Sequence, residues 1–309
     1  MISRDDVNGA AHRIAGLTRL TPVLEADRGQ VPGEAWFKCE FLQHTGTFKA
    51  RGALNRILAS KERGELTSSG IVVASGGNAG LANAFAAARL GVPATVFVPA
   101  AAPAVKVAKL KAIGAVVVQG GSEYAVAYQA AVAHAAETGA VYCHAYDQPE
   151  IAAGAGTVGS EVLEQVPDVD TLLVAVGGGG LMAGIAAAVE GQARVVAVEP
   201  DGAPTLHAAL AAGQPVDVPV SGVASDSLGA RRIGDIGFSV AVRAGVESVL
   251  VTDPDIIAAR SALWNGYRIV VEHGAAAAWA ALLSGAYVPE PGERVAVVLC
   301  GANTDPATL

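Results

Sequence analysis

Three short runs concentrate the residues that could do chemistry. The first, Thr45-Gly46-Thr47-Phe48-Lys49-Ala50-Arg51-Gly52-Ala53, places a lysine among small and aromatic neighbours where a helix is expected to begin. Of the chain's other lysines, Lys61 adjoins Glu62 and Arg63 and reads as solvated, while Lys106, Lys109 and Lys111 decorate one helix. The neighbours of Lys49 could strip water from its amine, which lowers its pKa and frees a neutral nucleophile. Taken alone, a surface lysine at a helix start is the plainer account. The second run, Ala74-Ser75-Gly76-Gly77-Asn78-Ala79-Gly80, follows a strand and opens a helix. Its small residues would let an anion reach backbone N–H groups, and Ser75 and Asn78 add side-chain donors; an ordinary turn capped by Asn78 is the alternative. The third, Val176-Gly177-Gly178-Gly179-Gly180-Leu181, is again strand to helix. Each glycine costs about 1 kcal/mol of backbone entropy in an ordered element. A phosphate cradled by successive N–H groups would explain four in a row.

A rival reading of the third run stays open at this point. Gly178-x-Gly180-x-x-Ala183 matches a loose dinucleotide fingerprint, and Glu199 ends the next expected strand, where a ribose-binding acid belongs. A P-loop is excluded, because no Lys-Ser/Thr follows the glycines. There is no Gly-x-Ser-x-Gly elbow. The six histidines form no metal-ligand spacing, and His144 and His273 read as loop or core residues rather than bases. Near the C-terminus, Val297-Val298-Leu299-Cys300-Gly301-Ala302-Asn303 is an apolar strand ending in cysteine and glycine. Open α/β sheets bind ligands at strand C-termini, so Cys300 could face a site or simply be a buried thiol.

These runs need a scaffold, and the 309-residue chain supplies one. Hydrophobic residues make up 52% and charged residues 16%, which excludes disorder. A net charge of −8 without a dense Lys/Arg cluster argues against a nucleic-acid partner. The longest apolar stretch, residues 275–283, is mostly alanine and too short to span a bilayer. Cys39, Cys143 and Cys300 are scattered, and no apolar run follows the N-terminal charges, so a reducing cytoplasmic location is expected. Strands are expected at residues 71–74, 94–98, 115–119, 171–176, 194–198, 248–252 and 294–299. Helices are expected at 78–90, 105–113, 151–165, 181–190, 204–212, 253–265 and 274–285, with Pro149 and Pro204 in first turns. Residues 35–41 alternate loosely, as an edge strand would. Continuously apolar strands alternating with helices predict parallel sheets covered on both faces.

Together the runs resemble the fold-type II pyridoxal-phosphate enzymes, specifically the serine/threonine dehydratase and serine racemase branch, over about residues 18–305. Thr47-Phe48-Lys49-Ala50-Arg51-Gly52-Ala53 is similar to the family's Ser-Phe-Lys-x-Arg-Gly-Ala, which carries the Schiff-base lysine. Ser75-Gly76-Gly77-Asn78 resembles the loop that grips the substrate carboxylate, with Asn78 also reaching the ring hydroxyl. Gly177, Gly178, Gly179, Gly180 and Leu181 resemble the phosphate loop. Residues 151–157 and 271–275, the latter with Glu272, also resemble family segments. Cys300 stands where the family places a Ser or Cys opposite the pyridine nitrogen.

The resemblance implies two open, twisted, mostly parallel-sheet domains of tryptophan synthase β type. A large one comprises residues 1–69 and 147–309, and a small inserted one comprises 70–146, with pyridoxal 5'-phosphate in the cleft. It implies an ammonia-lyase that converts L-threonine or L-serine to a 2-keto acid and ammonia. Phe48 and Lys49 would contact the cofactor, and Lys49 would take the α-proton. Other β-hydroxy amino acid dehydratases, a racemase, a β-replacement enzyme and a cofactor-binding protein without turnover are alternatives, beside the distant dinucleotide oxidoreductase. Two positions depart from the family. Ala79 replaces a usual histidine, and Gly76 replaces the serine that racemases use as their opposite-face acid. Glu199 and the Ala203 carbonyl align with cation ligands, but Thr205 stands where divalent-binding members have Asp, so at most a monovalent ion is expected. A homodimer acting on a small amino acid, with no membrane partner, is implied. So is the absence of a C-terminal regulatory domain, and with it of feedback by isoleucine.

Overall fold

The computed structural model describes residues 2–121 and 123–309. Met1, at the start of the larger expected domain, and Ser122, inside the smaller one, lie outside the described residues. The strands are β1 (Val23–Glu25), β2 (Glu34–Lys38), β3 (Ile71–Ala74), β4 (Ala94–Val98), β5 (Val116–Gln119), β6 (Val141–Tyr142), β7 (Thr171–Ala175), β8 (Arg194–Pro200), β9 (Glu247–Val251) and β10 (Arg294–Val298). They form a six-stranded sheet in the order β1-β2-β10-β7-β8-β9 and a four-stranded sheet in the order β5-β4-β3-β6. Every pairing is parallel except β1 with β2. The parallel sheets expected from the strand–helix alternation are therefore present, and there are two of them, as the resemblance implies. The central strands β3 and β7 are buried at every residue, because helices cover both faces.

Three local expectations fail for identifiable reasons. The strand expected at the edge, β2, is interior: it lies between β10 and the three-residue β1, which is too short to give a pattern. Residues 115–119 were expected to be buried, but β5 is an edge strand whose Val116 is 63% exposed. Pro204 precedes the first turn of the helix Thr205–Ala212 rather than sitting in it. The helix Arg4–Ile14 was not anticipated, although Ser3 and Asp6 form a reciprocal cap at its start.

Small residues let helices approach one another closely enough to fix the site. In the helix His273–Ser284, Gly274 through Leu282 are all buried, and Trp279 meets Phe37 of β2 edge to face at 4.9 Å. The helix Lys49–Glu62 presses on the helix Pro149–Gln165 at Gly52, where a Cβ would come within 2.6 Å of the Ile151 carbonyl. Alanine at Gly52 would push that helix, and Lys49 with it, away from its neighbour.

Polar anchoring comes from three buried charges, Lys38, Glu40 and Arg51, with the partly buried Glu161. Arg51 is 1% exposed and donates to Glu40 at 2.7 and 2.9 Å and to Glu161 at 2.6 and 2.9 Å. Lys38, fully buried on β2, donates to Glu161 (2.5 Å), the Thr21 carbonyl (2.8 Å) and Gln165 (2.7 Å). Two cations and two carboxylates thus cancel while tying β2, the Lys49 helix and the Pro149–Gln165 helix together. Removing one partner from such a cluster leaves charge unpaired in the interior. Arg51→Met is expected to destabilise the chain by about 3–5 kcal/mol in denaturant unfolding; a loss below about 1 kcal/mol, typical of surface pairs, would contradict the account.

Candidate active site

A cavity of about 810 Å³ opens at the C-terminal ends of β3, β4, β6, β7 and β10, where parallel sheets bind ligands. It gathers residues from all three runs of the sequence. Phe48 and Lys49 enter from the start of the Lys49–Glu62 helix, which a Thr47–Gly301 bridge and a Phe48 N–H bond to the Cys300 carbonyl (3.2 Å) hold against the end of β10. Ser75, Gly76, Gly77 and Asn78 enter between β3 and the helix Asn78–Leu90. Gly177, Gly178, Gly179, Gly180 and Leu181 enter between β7 and the helix Gly180–Val189. Glu272 and Cys300 close the floor.

Burial pushes the Lys49 pKa below its ordinary 10.5, against the raising pull of Cys300 and Glu272. The amine's hydrogen bond is a long one, 3.4 Å to the Ala145 carbonyl, and it stands 4.7 Å from the Phe48 ring centre. Burial also pushes the Cys300 thiol up to about 12, so at neutral pH it is a neutral S–H. Glu272, likewise desolvated, is raised above its ordinary 4.5. Gly77 rather than Asn78 takes the cap position, and Asn78 makes no cap bond. Its side chain is instead turned to Glu272, donating at 2.9 and 3.1 Å.

The glycine loop has a further cause beyond a ligand. A Cβ at Gly178 would strike the Tyr146 ring, at Gly180 the Tyr146 carbonyl (2.6 Å) and at Gly179 the Ile233 side chain (2.5 Å). Gly179 also adopts φ +87, which only glycine takes without strain. Protein atoms therefore crowd this loop, Tyr146 from within the cavity lining itself, while its first-turn N–H groups have no acceptor within the helix.

Glu199 and Ala203 lie outside the cavity. Glu199 is fully buried beneath the loop and accepts from the Leu206 and His207 N–H groups (2.7 and 2.8 Å), Ser248 (2.8 Å) and Thr205 (3.1 Å). The Ala203 carbonyl accepts from the Thr205 N–H at 3.0 Å. Both are committed to the start of the helix Thr205–Ala212, and among the described residues no cluster of three His, Cys, Asp or Glu could hold a metal. The same burial removes the dinucleotide reading, since Glu199 has no surface with which to meet a ribose.

Sequence reasoning missed several lining residues. Lys106, read as helix decoration, bridges to Asp226 at 2.7 Å, and both border the cavity. His144 lines it too; its Nδ1 accepts from the Tyr146 and Asp147 N–H groups (3.2 and 2.8 Å), which leaves the proton on Nε2. The only sequence signal was its place after a short apolar run, at β6, too brief to read as a strand.

The chain belongs to the family described as pyridoxal-phosphate dependent enzymes, whose pattern it matches over residues 14–301. It is 41% identical to an L-threonine ammonia-lyase of Geobacter sulfurreducens over 277 residues, which cover 89% of this chain and 68% of the relative. A phenylserine dehydratase of Ralstonia pickettii is 36% identical, with 98% and 94% covered. The solved structure of maize serine racemase superposes with a TM-score of 0.93 at 32% identity, covering 99% of this chain and 95% of that one. The cofactor is pyridoxal phosphate, and the site can take it. Unengaged N–H groups of the glycine loop suit a dianionic phosphate, Lys49 offers an amine, and Cys300 offers a neutral partner to a ring nitrogen.

The lowered Lys49 pKa has a consequence in the cofactor-free protein. Between that lowered value and 10.5, the unfolded chain binds a proton on Lys49 that the folded chain does not, so stability climbs with pH through this window. Lys49→Met should flatten that climb in unfolding free energies measured from neutral pH to about 10.5; parallel curves for the two proteins would contradict a desolvated amine.

Proposed function

We propose that this enzyme is an ammonia-lyase for β-hydroxy α-amino acids, converting L-threonine or L-serine to a 2-keto acid and ammonia. The observation that carries the reading is the meeting, in one cavity, of a desolvated amine, a donor loop at Asn78, a glycine-lined helix start and a neutral thiol. Pyridoxal phosphate, when bound, supplies a carbonyl carbon for the substrate amine and a conjugated ring that draws electrons from Cα. Lys49 Nζ, its pKa lowered by burial, takes the α-proton. The N–H groups around Gly76, Gly77 and Asn78 hold the substrate carboxylate and so orient Cα–H toward Lys49. Cys300 keeps its proton and adds no positive charge at the ring nitrogen, which favours early loss of the β-hydroxyl over prolonged carbanion chemistry. Gly76 has no side chain to return a proton from the opposite face, which favours elimination over racemisation.

A bulkier substrate is a second reading with its own support. The cavity lies in the upper part of the ~300–1,000 Å³ range of ligand pockets, and Gly76, Ala79, Ala101 and Ala102 line it with little bulk. A β-aryl serine would use that room, as the similarity to a phenylserine dehydratase suggests. The test is a 2-keto acid assay over threonine, serine, 3-hydroxyaspartate and phenylserine. Keto acid is expected from at least one, and Lys49→Ala should abolish it. No keto acid from any of them would remove the lyase reading.

Among the described residues no helix is long and apolar enough to cross a membrane. We further propose a cytoplasmic homodimer. Three free, buried thiols suit a reducing compartment, and exposed Leu20, Leu24 and Leu42 give a partner subunit apolar surface to cover. Light scattering should return twice the 30.9 kDa chain mass; the mass of one chain would refute the dimer.

A further inference from the structure

Asn303, half-buried beyond the end of β10, belongs to none of the groups assigned a role above. Its Nδ2 donates twice, to the Thr45 carbonyl at 2.9 Å and to Asn78 Oδ1 at 2.7 Å. Asn78 Nδ2 in turn donates to the Glu272 carboxylate. The chain of bonds therefore runs from Thr45 through Asn303 and Asn78 to Glu272. One end, the Thr45 backbone carbonyl, can only accept, and at the other both Glu272 oxygens accept from Asn78. An NH₂ must face each end, which leaves Asn78 one orientation, its oxygen toward Asn303 and its NH₂ toward Glu272.

The same residue steadies the turn that delivers the lysine. Thr45 has φ +62, a left-handed conformation that a β-branched residue rarely adopts. Asn303 holds the Thr45 carbonyl, the Ala302 N–H donates to the Gly46 carbonyl at 2.9 Å, and a Cβ at Gly46 would touch Asn303 Oδ1 at 3.4 Å. Asn78 comes from the helix after β3 of the four-stranded sheet, whereas Thr45, Glu272 and Asn303 belong to segments around the six-stranded one. The bonds thus cross the cleft.

We propose that Asn303 is a positioning residue that sets the orientation of the Asn78 amide across the cleft, so that Asn78 presents N–H rather than oxygen to the bound cofactor and substrate. This rests on the reading above that Asn78 faces the cofactor. Asn303→Asp keeps the shape and removes the NH₂. Asn78 then meets a carboxylate on either side, and neither orientation of its amide is favoured over the other.

The test uses enzyme reconstituted with pyridoxal phosphate and compares the wild type with Asn303→Asp and Asn78→Ala. Expected for Asn303→Asp is a displaced visible absorption band of the bound cofactor, in the same direction as for Asn78→Ala, with kcat down about tenfold, the scale of one lost hydrogen bond. KM should move less than kcat, and bound cofactor should remain. A wild-type band and a kcat within about twofold would overturn the inference. So would a fall in kcat that only tracks a fall in melting temperature. Should Asn303→Asp fail to fold, Asn303→Ser gives the same readouts. A displaced band in Asn78→Ala with none in Asn303→Asp overturns this inference alone. An unchanged band in Asn78→Ala overturns the assignment of Asn78 to the cofactor, and the inference with it.

Discussion

The site depends on keeping one amine out of water without giving it a carboxylate. Two lysines of this chain, Lys38 fully buried and Lys49 half-buried, are treated in opposite ways. Lys38 receives Glu161, Gln165 and the Thr21 carbonyl within 2.8 Å and serves as a rivet. Lys49 has a single contact at the limit of hydrogen bonding, to Ala145. Burial lowers the pKa of both, but only Lys49 borders a cavity where a neutral amine has something to attack. Such an amine is a strained possession, because the chain would gain by hydrating it. It persists because the helix that begins with it is fixed elsewhere.

That fixing is done by the residues next to it. Arg51, two positions along, plugs into Glu40 and Glu161, and Gly52 lets the helix lie against Ile151. A motif read for its lysine is therefore equally a docking motif. Its arginine lies outside the cavity and its glycine offers only backbone to the lining, yet they fix the helix that carries the lysine. The glycine loop shows the same double use: it borders the cavity, and Tyr146 and Ile233 pack against it too closely for side chains. Four glycines in a row are therefore accounted for in part by protein packing, besides the cavity that they line.

The alternation of short apolar runs with alanine-rich helices was enough to read parallel sheets, because strands buried on both faces leave a continuous signature. Elements without their own core face were less readable. β1 and β6 have three and two residues, and β5 is an apolar run at an open edge, so period and length misled there. The residues of the site were legible where backbone need and chemistry coincide, as at Lys49, Asn78 and the glycines. They were not legible where a common residue is recruited by geometry, as with His144, Lys106, Asp226 and Asn303.

By itself, then, the sequence determined the parallel-sheet class, which follows from local composition and spacing, and it carried the short motifs through which the chain resembles pyridoxal-phosphate enzymes. Only the tertiary structure decided that Glu199 is sealed beneath the glycine loop rather than offered to a ribose, and that Cys300 keeps its proton. It also decided that Asn78 is turned by a residue 225 positions away. Each of these depends on which groups are desolvated together. Desolvation is a property of the packed neighbourhood, and no window along the chain contains it.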